Sequence, residues 1–265
     1  MVYILASSLI LARMFLCKKY VSVFVFLLCG CNSVIIPDAF VYKEVETDGF
    51  TLASWQKLTD CTAPVKFYIE GDGRAFNSSG LPTQNPTPHG KMIREVAFGD
   101  NSPNVVYLAR PCQFVKDAKC EQKYWTTARF APEVIRSEAQ AIKKIAQDRP
   151  VILVGFSGGA QVAGLVAVQN PDITVHQLIT IAGNLDHKSW TEYHHLPSLN
   201  ESLDLADYKE KYRLFPQIHY VGTKDEIIPQ SITLDFVRYS NVIPVKGAKH
   251  SDGWQNIYSQ IWEKN

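Results

Sequence analysis

The sequence carries almost no net charge. Lys and Arg total 27 against 26 Asp and Glu in 265 residues. With no basic excess and no long run of like charge, it has no electrostatic footprint for nucleic acid, and none is expected as a partner. No Cys-x-x-Cys pair occurs, and His194 and His195 are adjacent rather than at ligand spacing, so no zinc or other metal site is expected. No internal repeat of roughly 20 to 50 residues stands out, which argues against a solenoid. No apolar run reaches the ~20 residues that a membrane-spanning helix needs. Gly and Pro, at 15 and 14 residues, stay at ordinary levels, so a wholly disordered chain is excluded. What remains is a chain that is 46% hydrophobic, enough to bury one substantial core.

The first 31 residues read as an address rather than as fold. Lys18 and Lys19 precede a short apolar run, Val21 to Leu28, and then comes Leu28-Cys29-Gly30-Cys31. A charged segment, a short apolar core and small residues at a cleavage site make an export signal. Met14 would by itself begin a compact signal of this kind. The tetrad resembles the lipobox of bacterial lipoproteins, a resemblance that implies lipidation at Cys31 and a membrane-anchored protein of the bacterial cell envelope. Acyl chains on one residue give firm anchoring, at ~0.8 kcal/mol per buried methylene. Residues 32–48 then form a tether and an edge segment, and 49–265 the folded domain. Export suits disulfide formation. Cys61, Cys112 and Cys120 remain for pairing, so one stays free or pairs elsewhere. Cys112 and Cys120 bracket a short polar stretch and are the preferred pair; a bridge from Cys61 to either is the rival.

Along the domain, β-rich runs alternate with helical patterns. Strands are expected near Phe50–Leu58, Val65–Ile69, Val105–Ala109, Val151–Val154, Val175–Ile181, Ile218–Val221 and Val242–Val245, where Pro244 argues for a sheet edge. Helical spacing runs from about Ala131 to Gln147, Ala160 to Val168 is small and apolar throughout, and a last helix is expected from Gly253 to Trp262. Residues 75–103, rich in Pro, Asn, Ser and Gly, read as a long surface loop. Residues 186–215, polar and aromatic, read as a cap or a packed surface excursion. This alternation predicts an α/β fold with a mostly parallel central sheet and helices on both faces.

The chemistry concentrates at Gly155-Phe156-Ser157-Gly158-Gly159, which matches G-x-S-x-G. An apolar strand before it and a small-residue helix after it predict a sharp turn that exposes the Ser157 hydroxyl. Side chains at Gly155 and Gly159 would clash where strand and helix approach. The Gly158 N–H, at a helix start, lacks an intrahelical acceptor and suits a developing oxyanion. The second donor is expected in Glu70-Gly71-Asp72-Gly73, first at Asp72 and next at Gly73. The two carboxylates there would repel an anionic substrate or bind a cationic group. A serine needs a base, and His250, after the last strand, is the best placed of seven histidines. His219 lies within a strand and reads as core; His89 sits in the Pro-rich loop, and His187, His194 and His195 in the cap segment. For the acid, Asp225 follows the strand Ile218–Val221; Asp186 is the serious rival, with Glu226 and Asp252 less favoured.

Ser157 in Gly-Phe-Ser-Gly-Gly, Asp225 in Gly-Thr-Lys-Asp-Glu-Ile-Ile-Pro and His250 in Ala-Lys-His-Ser-Asp resemble the triad of the α/β-hydrolase superfamily, in the chain order Ser, Asp, His. The resemblance covers about residues 50 to 262. It implies acyl transfer to water through an acyl-enzyme, a small-molecule ester as substrate and no cofactor. The loop at 70–73 departs from the His-Gly-Gly-Gly of many members. An amidase or acyltransferase would use the same triad, and a hydrolase-fold binding protein would keep the fold without turnover. Neither the oligomeric state nor the natural substrate is written in these motifs.

Overall fold

The continuous apolar runs of the sequence become the middle strands of one sheet. In the computed structural model, residues 34–238 and 241–263 are described. The segment expected to be an export signal, with Cys31, lies outside them. Among the described residues the strands are β1 (Val41–Glu46), β2 (Thr51–Leu58), β3 (Val65–Ile69), β4 (Asn104–Leu108), β5 (Val151–Phe156), β6 (Val175–Ile181), β7 (Gln217–Gly222) and β8 (Val242–Val245). They form an eight-stranded sheet in the order β1-β2-β4-β3-β5-β6-β7-β8. β2 runs antiparallel to both neighbours, and every other pairing is parallel. The expected α/β architecture is what the chain adopts, and β8, with Pro244, lies at the sheet edge.

Both faces of this sheet are covered, which is why β5 reads as a hydrophobic run and β3 and β4 are interrupted only by Lys66 and Asn104. Val65, Phe67, Ile69, Val151 and Leu153 join one core cluster with α2 (Pro132–Ala146) and α3 (Gly158–Gln169). The alternate residues Tyr68, Ile152 and Val154 join the other, with α1 (Met92–Gly99) and Ile261 of α7 (Tyr258–Trp262). Each fully buried large aliphatic side chain contributes roughly 1.5–3 kcal/mol. His219 of β7 is a core residue, as its strand position implies: Nδ1 lies 2.8 Å from Thr180 Oγ1 and Nε2 2.9 Å from Gln217 Oε1. Burial pushes its pKa down to about 3. A folded-state pKa below the unfolded value means that the neutral ring's contribution to stability is present above the ordinary histidine range and is lost as pH falls toward 3.

Three segments differ from the sequence expectation. Residues 75–103 are not loop throughout: Met92, Ile93, Val96 and Ala97 recur at helical spacing and bury the inner face of α1. The last helix is shorter than expected, a 3₁₀ turn at Gln255–Ile257 leading into α7. A helix not anticipated, α6 (Gln230–Phe236), follows Pro229 and buries Ile232, Thr233 and Phe236. The segment 186–215 folds as α4 (His187–Tyr193), a 3₁₀ turn at Leu205–Tyr208 and α5 (Lys209–Tyr212). Its later half packs on α3, where Leu205 and Tyr212 crowd the space beside Gly164. A disulfide joins Cys112 and Cys120, the preferred pairing, and Cys61 is free and exposed.

Candidate active site

The site lies at the carboxyl ends of the central strands, the usual place for a ligand in a parallel sheet. β5 ends at Phe156 and α3 begins at Gly158, so Ser157 must turn the chain within one residue. It does so at φ 52°, ψ −123°, a conformation that side-chain-bearing residues rarely occupy. Its backbone is held from three sides: its N–H donates to Ile181 O, and its carbonyl accepts from Ala160 and Asn184. A Cβ on Gly155 would lie 2.5 Å from Ala160 Cα, and one on Gly159 would overlap the Ile69 carbonyl. The glycines therefore permit the strand-to-helix approach that the motif implied.

Residues far apart in sequence converge on the exposed hydroxyl. Ser157 Oγ lies 3.1 Å from His250 Nε2, and His250 Nδ1 lies 3.0 Å from Asp225 Oδ2. The Asp225 carboxylate is fully buried, and its Oδ1 accepts from the N–H groups of Ile227 and Ile228, each at 2.9 Å. Those bonds fix its plane and leave Oδ2 for the imidazole. His250 sits in the turn after β8; its carbonyl accepts from Trp254 Nε1, and its ring lies 5.2 Å from that of Phe156. The rival acid Asp186 is elsewhere engaged, capping α4 through bonds to Ser189 N and Oγ, each at 2.8 Å. Glu226 and Asp252 are exposed and contribute no bond to His250.

The loop after β3 passes directly over the start of α3. The Asp72 carboxylate occupies the space that a Cβ on Gly158 would need. Among the described residues no acceptor takes the Asp72 N–H. Gly73, at φ 63°, turns the chain onward so that Arg74 N–H donates to Pro86 O. The two carboxylates do not present free negative charge to the site, contrary to the sequence expectation. Glu70 is turned inward, where Oε1 accepts from Gly71 N at 2.9 Å and Oε2 from the Tyr107 hydroxyl at 2.7 Å. Burial pushes its carboxyl up, opposed by those two bonds. Asp72 Oδ2 accepts from Arg129 Nη1 at 2.6 Å, and Oδ1 lies 3.5 Å from Arg110 Nη1. Burial alone would raise the Asp72 carboxyl; Arg129 and Arg110 outweigh it and hold the group below the usual carboxylate range.

A cavity of about 620 Å³ opens above Ser157 and His250. Phe76, Met92, Ile93, Phe156, Trp190 and Ile228 give it apolar walls. Trp190 brings α4 to its rim, and both Trp190 Nε1 and His194 Nε2 meet the Ile227 carbonyl, at 2.7 and 2.9 Å. His187, expected in the cap, is instead buried and stacked on Phe130, with ring centroids 5.8 Å apart. His195 is exposed, whereas His89 does line the cavity. Arg110, Arg129 and Glu138 form the part of the site that sequence reasoning missed. The one signal the sequence offers is Arg110-Pro111, shortly after β4.

No protein-family model matches this sequence, and no curated protein matches it. Solved structures do resemble the fold. An esterase from Pyrococcus furiosus aligns with a TM-score of 0.55 at 14% identity, over 85% of this chain and 90% of that one. An α/β serine hydrolase without a lid, from Xanthomonas campestris, aligns with a TM-score of 0.50 at 13% identity, over 87% and 93%. An α/β serine hydrolase homologue from Coxiella burnetii gives 0.51 at 14% identity, over 87% and 97%. At such identities the likeness establishes a shared fold.

Proposed function

We propose that this chain, which has the α/β-hydrolase fold, is a serine hydrolase that cleaves carboxylic esters through an acyl-enzyme. The observation that carries the reading is the unbroken hydrogen-bond chain from Ser157 through His250 to Asp225, opening into an apolar cavity. A serine hydroxyl is a weak nucleophile until a base takes its proton. In this reading Ser157 Oγ attacks the acyl carbon while His250 Nε2 accepts the proton. Asp225 holds the imidazole in the tautomer with Nδ1–H and stabilises the imidazolium that forms. The amides of Gly158 and Asp72 receive the oxyanion, an arrangement favoured by the close approach of the two residues and the unpaired Asp72 N–H. His250 then protonates the departing alkoxide. Water repeats the sequence in reverse, releasing the acid and restoring Ser157.

The test is covalent labelling. A fluorophosphonate probe is expected to modify the folded chain at Ser157, with short-chain aryl esters turned over and turnover lost on labelling. Folded protein that takes no label would instead fit a binding protein built on a hydrolase fold. We further propose that Cys31, ahead of the folded domain, carries lipid and holds the enzyme at the bacterial envelope membrane. Cys31→Ala is expected to move the protein from the membrane to the soluble fraction, and unchanged fractionation would remove that anchor.

A further inference from the structure

The cavity wall carries both signs of charge. Its ionisable lining is Glu70, Asp72, Arg74, His89, Arg129 and His250. Glu70 is turned into its bonds with Gly71 and Tyr107, and Asp72 faces two guanidinium groups, Arg110 and Arg129. Glu138 lies 3.5 Å from Arg110, and burial pushes its carboxyl up to about 8. The guanidinium of the lining that meets no carboxylate among the described residues is that of Arg74.

Arg129 brings a guanidinium to the cavity wall. The residue is only 5% exposed. Its Nε donates to Thr126 O at 2.7 Å and its Nη1 to Asp72, while Phe76 packs 5.6 Å from the guanidinium carbon. Nη2 has no hydrogen-bond partner among the described residues and is not one of the buried unpaired atoms, so it is open to a group entering the cavity. Arg74 stands on the same side. Its Nη1 lies 2.9 Å from His89 Nε2, and no carboxylate among the described residues pairs with it. Because a guanidinium can only donate, His89 Nε2 is the acceptor in this contact.

We propose that the cavity is built for an ester carrying a second, free carboxylate, which is received by Arg129 Nη2 and the Arg74 guanidinium while the ester carbonyl lies over Ser157. A guanidinium is a favoured partner of a carboxylate because its N–H groups can donate two parallel, charge-assisted hydrogen bonds. The inference rests on the esterase reading above and adds the substrate class.

Two matched ester pairs test it. The first is the 4-nitrophenyl monoester of adipic acid against 4-nitrophenyl hexanoate, which places the charge on the acyl side. The second is 4-acetoxybenzoate against its methyl ester, which places it on the leaving group. At low ionic strength, kcat/KM for the charged member of one pair is expected to exceed that of its neutral partner by roughly tenfold after subtraction of the spontaneous rate. That ratio is expected to fall severalfold in ~0.5 M salt and in Arg74→Gln, since both weaken an exposed charge contact. Arg74 is at the surface, so the variant is expected to fold. Turnover of the neutral esters with no preference in either pair overturns the inference and leaves the esterase standing. A preference that survives both salt and Arg74→Gln overturns the assignment to these arginines. No turnover of any of the four esters, with no fluorophosphonate label, removes the esterase and the inference together.

Discussion

Ser157→Ala is expected to lower kcat on a short-chain aryl ester by at least ~10⁴-fold, because the acyl-enzyme route is lost and only oxyanion stabilisation and binding remain. The fold is expected to survive. Among the described residues the hydroxyl makes one bond, to His250, whereas the backbone bonds to Ile181, Ala160 and Asn184 do not involve it. Alanine also meets no new penalty at φ 52°, since both residues carry a Cβ. The change in stability is therefore expected to stay within ~1 kcal/mol, in the range of substitutions that leave no buried group unpaired. Steady-state kinetics and a thermal melt on the same preparation separate the two effects. A folded variant with full activity would mean that another residue is the nucleophile.

The fold was legible wherever a local pattern forced the outcome. Val65–Ile69 and Val151–Val154 are apolar at every position but Lys66, and only strands covered on both faces accommodate that. The turn at Ser157 was legible because glycine is needed within five residues for strand and helix to pass so closely. The order Ser, Asp, His placed Asp225 and His250 in loops after successive strands, and the sheet brings those loops to one end. α1 was hidden because Pro and Gly dominate the residues before it, and a single reading of 75–103 diluted the pattern of Met92, Ile93 and Val96.

Charge at the site was misread for a different reason. Two acidic residues in the 70–73 loop look like an anionic rim when only neighbours in sequence are considered. The groups that engage them are distant: Tyr107 is 37 residues from Glu70, and Arg129 is 57 residues from Asp72. No periodicity announces pairings of that span, since a buried arginine and an exposed one read alike in a sequence. In the folded chain Asp72 is paired with two guanidinium groups, so the loop expected to repel anions lies beside Arg110 and Arg129. The same long-range pairing engages the Asp72 carboxylate that lies against Gly158.

Asp225→Asn is expected to cost about 10⁴-fold in kcat with little change in the architecture, and Asp186→Asn to cost no more than a few-fold. The contrast follows from what each carboxylate holds. In the Asp225 variant the side-chain oxygen can still accept the Ile227 and Ile228 N–H groups, so the loop after β7 keeps its shape. The amide nitrogen then faces His250 Nδ1 and donates to it. A ring that accepts at Nδ1 carries its proton on Nε2, and such a ring cannot take the proton of Ser157. The loss therefore belongs to the tautomer, not to the position of the ring, and is expected in kcat far more than in KM. Asp186 bonds only within the first turn of α4, so its amide forfeits part of a helix cap, worth ~1 kcal/mol of stability at most, and leaves the imidazole untouched. Measuring kcat and KM for both variants on one ester decides the matter. A large kcat loss at 186 with near-normal turnover at 225 would transfer the acid to Asp186 and undo the hydrogen-bond chain on which the proposed reaction stands.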